Sequence, residues 1–259
     1  MDFITGEIIG IDKPLGWTSF DAVKRLRGSI QKRLRVKKFK VGHAGTLDPL
    51  ATGVLIVCTG RATRMIETLQ SGEKEYVATI RLGATTPSFD LETEIDAEYP
   101  TSHITEELVK ECLAHFVGNI MQVPPVFSAV KIDGKRAYKF ARQKVRKGKT
   151  YEDNPEGDIE LKAKPVTISE IEFLSLKDNI LTIRVVCGKG TYIRALARDL
   201  GQDLKSGAHL TALRRTRVGD YNIDNCMTID EAVEKISTTP LSFPDSFNST
   251  DYNNEDSHD

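Results

Sequence analysis

The chain has 259 residues, of which 39% are hydrophobic and 28% charged, with a formal net charge of -1. This composition is typical of a soluble globular protein with a substantial core. Its longest apolar run, GVLIVCTG, is far shorter than the roughly 20 residues of a membrane-spanning helix, and no signal-peptide pattern is present, so we expect a cytoplasmic protein. The four cysteines form no C-x-x-C pair, which favours reduced core thiols and no metal site.

Positive charge is concentrated in three stretches despite the neutral total. Residues 24–40 hold nine basic residues and no acidic one, residues 131–149 hold nine with only Asp133, and residues 184–217 hold eight with two acids. Any one of these stretches has a simpler explanation as a solvated face. A polyanion responds to the local field, however, so three basic stretches together favour a nucleic-acid partner.

The hydrophobic pattern predicts a mixed succession of helices and strands. Because strands and helices do not alternate regularly and no internal repeat is present, we predict the α+β class and not a doubly wound sheet. In chain order, the predicted elements are a strand at 6–14, a helix at 18–34, a strand at 75–83, a helix at 105–118, strands at 166–176 and 179–188, a helix at 188–204 and a short last helix after Thr228.

Helix boundaries are indicated by capping residues. Ser19 is predicted to cap the first helix, Thr105 caps the second with Gly118 as its stop, and Thr228 with Glu231 forms a capping box for the last. Each helix has an apolar stripe, and the strand at 75–83 has one apolar face. These predicted core positions are Val23, Leu26, Ile30 and Leu34; Tyr76, Ala78, Ile80 and Leu82; Leu108, Cys112, Leu113 and Phe116; and Ile193, Leu196, Leu200 and Leu204.

Two segments differ from the rest of the chain. Residues 124–165 form a charged excursion with a short helical piece at 134–144, and such a long charged loop is more often functional than accidental. Residues 241–259 have too little apolar content to fold and are predicted to be a disordered acidic tail. We therefore predict one catalytic domain at 1–240 with an insertion at about 124–165.

The stretch VGHAGTLDPLATG combines a carboxylate, a histidine and several glycines. An isolated Asp48 before proline is most simply a helix cap, and His43 alone is most simply a structural histidine. Glycines at 42, 45 and 53 nevertheless permit close backbone approach or positive φ. A single aspartate on such a loop fits a nucleophile better than a metal site, which needs several carboxylates. Its charge requires a nearby cation, for which Arg194 is a candidate.

Six blocks of the sequence together resemble the TruB family of bacterial tRNA pseudouridine(55) synthases. They follow in order through nearly all of residues 7–220, and six matching blocks are far more specific than any one. The blocks are IDKPLGWTS (11–19), KVGHAGTLDPLATGVLIVCTGRATR (40–64), KEYVATIRLG (74–83), VPPVFSAVKIDGKRAYKFAR (123–142), CGKGTYIRALARDLG (187–201) and GAHLTALRRTRVG (207–219).

This resemblance implies a mixed, mainly antiparallel sheet flanked by helices, with residues 131–149 in an RNA-gripping arm. It assigns Asp48 as the nucleophile toward a flipped-out uridine of the tRNA T arm, on either the ribose or the ring, without a cofactor. Tyr76 stacks on the base, and Arg194 forms the ion pair that keeps Asp48 charged. The resemblance also implies substrate-binding residues, which are Lys13, His43, Tyr192 and Leu213.

The resemblance leaves some alternatives open. Many family members carry a C-terminal RNA-binding PUA domain, and the residues after about 220 do not match one. A tRNA-binding folding chaperone with secondary or lost catalysis is the main alternative function. A glycoside hydrolase needs a second carboxylate near Asp48, and the matched blocks contain none. We expect a monomeric enzyme acting on tRNA, without metal or membrane.

Overall fold

A computed structural model describes residues 2–125, 131–132, 135–136 and 161–241. The chain divides into two compact units, Met1–Tyr76 with Arg214–Asp259, and Val77–Leu213. Both units combine helices with mainly antiparallel strands, which confirms the predicted α+β class. Among the helices of the described residues, none is long and apolar enough to cross a membrane.

The first unit is built around strand β3 (Ala51–Thr59), which pairs antiparallel with β1 (Ile8–Lys13) and β2 (Val41–Ala44). Helices α1 (Ser19–Leu34) and α5 (Ile229–Thr238) pack on this sheet through a shared apolar cluster. The unit's remaining elements are a 3-10 turn at Gly60–Met65, α2 (Ile66–Ser71), the first residues of β4 (Lys74–Leu82), the last residues of β12 (Ala208–Val218), β13 (Tyr221–Asn222) and a 3-10 turn at Ile223–Asn225.

In the second unit, the strand order is β12-β4-β11-β10-β7. Strands β10 and β11 form a hairpin whose turn residues Asp178 and Asn179 have φ of 50° and 62°, as a tight type I′ turn requires. The elements of this unit are β5 (Ala84–Thr85), β6 (Ala97–Glu98), α3 (Glu106–His115), β7 (Gly118–Gln122), β8 (Lys131–Ile132), β9 (Lys135–Arg136), β10 (Lys164–Lys177), β11 (Ile180–Cys187) and α4 (Ile193–Asp203), with parts of β4 and β12.

Most of the predicted core is confirmed, and three local predictions were wrong. Thr18, not Ser19, caps α1, because its hydroxyl accepts a hydrogen bond from the Asp21 backbone N–H in a capping box. In α3 the buried stripe runs through Val109, while Leu108 is only half-buried. Of the predicted helical piece at 134–144, the structure describes only Lys135–Arg136, which form the strand β9 and not a helix because they pair with β8. The predicted tail at 241–259 lies outside the described residues, apart from Leu241.

Candidate active site

Asp48 lies in the tight connection between β2 and β3. Its carbonyl accepts a hydrogen bond from the Ala51 N–H at 3.1 Å, which closes a turn, and β3 begins at once. No helix begins at Asp48, so the carboxylate is not a helix cap. The glycines behave as predicted, since Gly45 and Gly53 have φ of 96° and 103°.

Both sides of Asp48 are fixed to the segment that leads into α1. The buried Ser19 hydroxyl accepts from the Leu47 N–H at 2.8 Å and donates to the Leu47 carbonyl at 3.1 Å. On the other side, the Gly16 N–H donates to the Pro49 carbonyl at 2.8 Å. The residues next to the carboxylate are therefore held through their backbone, which suits the predicted role of Asp48 as a preorganised nucleophile.

Arg215 is a buried arginine that supports the same turn. It is 1% exposed, its Nε donates to the Val54 carbonyl at 2.8 Å and its Nη2 donates to the Gly45 carbonyl at 3.0 Å. A Cβ on Gly53 would lie 2.1 Å from the Arg215 carbonyl oxygen, so only glycine fits there. Arg215 was not predicted as a site residue. It follows Leu213 by two residues on one strand and so shares its strand face, but no strand was predicted there.

Lys13 is completely buried at the end of β1. Its ammonium donates to the carbonyls of Pro14 at 2.9 Å and Trp17 at 2.6 Å. Burial lowers the pKa of Lys13 to about 8; the negative charge of Asp48 opposes this shift and the positive charge of Arg215 adds to it. Lys13 is thus an electrostatic neighbour of Asp48, and its predicted contact with RNA stays a prediction.

His43 lies on β2, where it pairs with Val57 of β3. Its pKa is lowered by burial and then by the charge of Arg215, while the Gly45 backbone offsets part of the shift, so the ring is neutral at pH 7. Within the described residues, Nδ1 makes no hydrogen bond of acceptable geometry. A neutral ring suits the predicted role of occupying the space of an extruded base.

Tyr76 belongs to the first unit and is buried on the inward face of β4, as predicted. Its predicted role, stacking on the substrate base, is proposed below.

Arg194 lies in the first turn of α4, as predicted, and has a carboxylate partner within its own unit. Its Nε is 3.6 Å from Oδ2 of Asp90, and its Nη1 donates to the Ser88 carbonyl at 3.3 Å. Arg194 and Asp90 are 5% and 6% exposed. Asp90 was not predicted as a site residue, and its carboxylate is buried beside this guanidinium.

Tyr192 immediately precedes α4 and is held by the buried Gln122 at the end of β7. The Tyr192 N–H donates to Gln122 Oε1 at 2.8 Å, and Gln122 Nε2 donates to the Tyr192 carbonyl at 3.2 Å. Gln122 was not predicted as a site residue. Leu213, on β12 in the same unit, is half-buried.

The predicted site residues divide between the units. Lys13, His43, Asp48 and Tyr76 belong to the first, and Tyr192, Arg194 and Leu213 to the second. Within the first unit, the structure brings Lys13 to Asp48. The predicted ion pair of Asp48 with Arg194 joins residues of different units and stays a prediction.

Cys112, His115 and Asp203 form one cluster of metal-binding residue types within the described residues. The Cys112 thiol lies 2.9 Å from Asp203 Oδ2, and His115 Nδ1 lies 3.1 Å from the same oxygen. Burial raises the pKa of Cys112 to about 12, so the thiol is protonated and donates to the carboxylate. Hydrogen bonding accounts for this cluster, and the absence of a metal stays a prediction.

Comparison with known proteins identifies the family. The model described as "TruB family pseudouridylate synthase (N terminal domain)" matches residues 31–193, and "tRNA pseudouridylate synthase B C-terminal domain" matches residues 194–239. The chain belongs to the TruB family. The matched ranges include every predicted site residue except Lys13.

Similar TruB-family proteins span most of the chain. A Parabacteroides distasonis protein named tRNA pseudouridine synthase B is 59% identical over 231 residues, which are 89% of this chain and 93% of the relative. A Streptomyces coelicolor protein of the same name is 43% identical over 243 residues, which are 90% of this chain and 75% of the relative.

Among solved structures, a chain of a Cbf5-Nop10-Gar1 complex has a TM-score of 0.63 and 28% identity, covering 90% of this chain. This chain spans about half of that one, 55%. The similarity agrees with the pseudouridine-synthase-like fold that the sequence predicts for this TruB-family chain.

Proposed function

We propose that this pseudouridine synthase isomerises the uridine at position 55, in the T loop of tRNA, with Asp48 as nucleophile. The observation that carries the proposal is the Asp48 turn, fixed through the backbone at Leu47 and Pro49 and adjoined by the buried Lys13. The names of the relatives support tRNA as the substrate. The enzyme acts as a cytoplasmic monomer without a cofactor.

The reaction rearranges bonds within one nucleotide. The bond between ribose C1′ and N1 breaks, the base rotates, and a bond between C1′ and C5 forms. The C5 proton is lost and N1 gains one, so the product is an isomer and no redox partner is required. Asp48 enters as a carboxylate that bonds covalently to the substrate and is regenerated at the end.

The remaining residues bind and orient the uridine. A base inside a folded loop is inaccessible in its stack, so it must be extruded and offered an aromatic face in return. Tyr76 provides that face, Tyr192 and Leu213 line the pocket, and His43 takes the space of the extruded nucleotide. Arg194, oriented by Asp90, keeps Asp48 charged.

An assay on an unmodified T-arm hairpin tests the function. Nucleoside digestion and chromatography should show uridine converted to a product of equal mass by the wild type. Asp48→Asn should show no conversion, whereas Asp178→Asn, a change in an exposed hairpin turn, should be as active as the wild type. Binding without conversion by the wild type would support the chaperone alternative, and equal conversion by Asp48→Asn would overturn the assignment.

A further inference from the structure

Helix α1 carries an exposed groove that the catalytic proposal does not use. The groove is lined by Trp17 before the helix and by residues of one helix face. Positions 24, 25, 28, 29 and 32 recur at the three- and four-residue spacing that places side chains on one face. From position 24 to position 32 this face is about 12 Å long, longer than a single phosphate. The helix residues that we call the Gly28 groove are Asp21 at its N-terminal end and then Lys24, Arg25, Gly28, Ser29 and Lys32.

A side chain at Gly28 would have nothing to pack against among the described residues. It lies in the middle of α1, where glycine is less favourable than any other residue except proline. Its φ is not positive, and a Cβ added to it would meet no described atom within 4 Å. An alanine would therefore fit and would stabilise the helix. The glycine leaves the helix backbone open to close approach from outside.

The basic residues around Gly28 are available to an external anion. In the part of the chain that the structure describes, Lys24, Arg25 and Lys32 have no side-chain hydrogen bond or ion pair. Two other basic residues of α1 differ, because Arg27 donates to the Val41 carbonyl at 2.8 Å and Arg33 to the Thr239 carbonyl at 3.4 Å. The Asp21 carboxylate at the end of the groove is held by Thr18, whose hydrogen bonds lower the pKa of Asp21 more than the nearby charge of Lys24 does. The three cations of the groove thus have no hydrogen-bond or ion-pair partner among the described residues.

The groove is close to the Asp48 turn within the same unit. Gly16, which also lines the groove, donates its N–H to the Pro49 carbonyl, and Pro49 follows Asp48. Trp17 lies between this contact and the helix, half-buried, with its carbonyl bound by Lys13. A ligand along the groove therefore approaches the turn that carries the proposed nucleophile.

We propose that the Gly28 groove binds the phosphodiester backbone of the RNA substrate, with a phosphate seated against Gly28 between Lys24, Arg25 and Lys32. The inference rests on the proposed function, because it takes the anion to be the substrate RNA. Cations spread along a helix face match successive phosphates, and phosphate contacts position an RNA without reading its sequence.

Opposite effects on stability and on binding test the role of Gly28. Gly28→Ala should raise Tm, because it removes an unfavourable helix residue. Gly28→Gln, which also favours a helix, should weaken tRNA binding about fivefold by filling the groove. A merely structural glycine would leave tRNA affinity unchanged in both variants, and that result would overturn the proposal.

Charge variants provide the second test. The Lys24→Gln, Lys32→Gln double variant should weaken tRNA binding by tenfold or more and reduce the slope of log K against log salt by about 0.7–0.9 for each lost contact. Lys235→Gln, at an exposed position of α5, is the matched control and should change neither. The rate of conversion at saturating tRNA should equal that of the wild type for Lys235→Gln, whereas the double variant should show its loss mainly as a raised KM for tRNA.

Filter binding separates this proposal from the proposed function. If the wild type binds tRNA but does not convert it, the proposed function is wrong, but the contribution of the groove to tRNA affinity can still be measured. An unchanged salt slope in the double variant, or binding of inorganic phosphate without an effect on tRNA, would overturn the groove proposal.

Discussion

Gln122 and Tyr192 are joined by two hydrogen bonds, in which the side-chain amide of Gln122 binds both the N–H and the carbonyl of Tyr192. Seventy positions apart in sequence, the two residues connect the end of β7 to the start of α4. Val123 follows Gln122, and its carbonyl accepts a hydrogen bond at 3.0 Å from Arg198 of α4. The helix that presents Tyr192 and Arg194 is thus fixed to the strand that leads into residues 124–165.

Gln122→Met should impair catalysis without removing a group that touches the substrate. It leaves the Tyr192 N–H and carbonyl without their partners, which should lower the free energy of unfolding by about 2 kcal/mol. Because Tyr192 and Arg194 then lose their fixed orientation, we expect kcat to fall about tenfold with a smaller change in KM. Urea unfolding and steady-state kinetics measure the two effects.

Gln202→Met, an exposed change on α4, is the control for Gln122 and should match the wild type. Gln122→Glu keeps the acceptor for the Tyr192 N–H and should retain more activity than the methionine variant. Equal kcat in Gln122→Met and the wild type would contradict a positioning role.

Arg215 should control both the stability of the Asp48 turn and the pKa of His43. Arg215→Met removes hydrogen bonds to Gly45 and Val54, so we expect a loss of about 3 kcal/mol in the free energy of unfolding. The charge of Arg215 lowers the pKa of His43, so its removal should raise that pKa. Arg215→Lys keeps the charge and should leave the pKa closer to its wild-type value. NMR titration of the imidazole measures this, and an unchanged pKa in Arg215→Met would refute it.

The elements with local signals could be predicted from the sequence. Thr105 and Thr228 cap their helices as expected, and alternation revealed the buried face of β4. The true cap of α1 was also recognisable, because Asp21 follows Thr18 by three residues, which is the spacing of a capping box. Choosing Ser19 overlooked that spacing.

The strand and the buried charged residues that were not predicted depend on contacts between residues that are distant in sequence. Strand β12 was not predicted, because arginines at 214, 215 and 217 interrupt its apolar alternation. Arg215 is nevertheless buried, since carbonyls more than 150 positions away satisfy its guanidinium. The buried Asp90 carboxylate likewise lies beside Arg194 of α4, a partner distant in sequence, although it also accepts from the nearby Glu92 N–H. Local patterns cannot reveal such distant partners for a charged residue.

Lys13 should make stability depend on pH in the alkaline range. Its pKa is lowered from 10.5 to about 8, so the folded protein binds fewer protons than the unfolded chain between these values. Stability should therefore rise with pH in this window, by about 3 kcal/mol in total, while the full cost of the buried charge is present below pH 8. Lys13→Met lacks the group. The free energy of unfolding of the wild type minus that of Lys13→Met, measured by urea unfolding, should increase from pH 7.5 to 9.5. Parallel pH curves for the two proteins would contradict the assignment.

Asp90→Asn should show that Arg194 depends on a carboxylate from its own unit. Both side chains are buried, so removing the charge of Asp90 leaves the guanidinium uncompensated, at a cost of about 3 kcal/mol in the free energy of unfolding. Because Arg194 loses its orienting partner, we expect kcat on tRNA to fall at least tenfold with KM nearly unchanged. Asp96→Asn, at an exposed position where the carboxylate accepts from the Thr85 hydroxyl and the backbone N–H of residue 96 donates to the Thr85 carbonyl, is the control and should show neither effect. Thermal unfolding and single-turnover kinetics on the T-arm hairpin measure the two consequences. Full activity in Asp90→Asn would mean that Arg194 is positioned without Asp90.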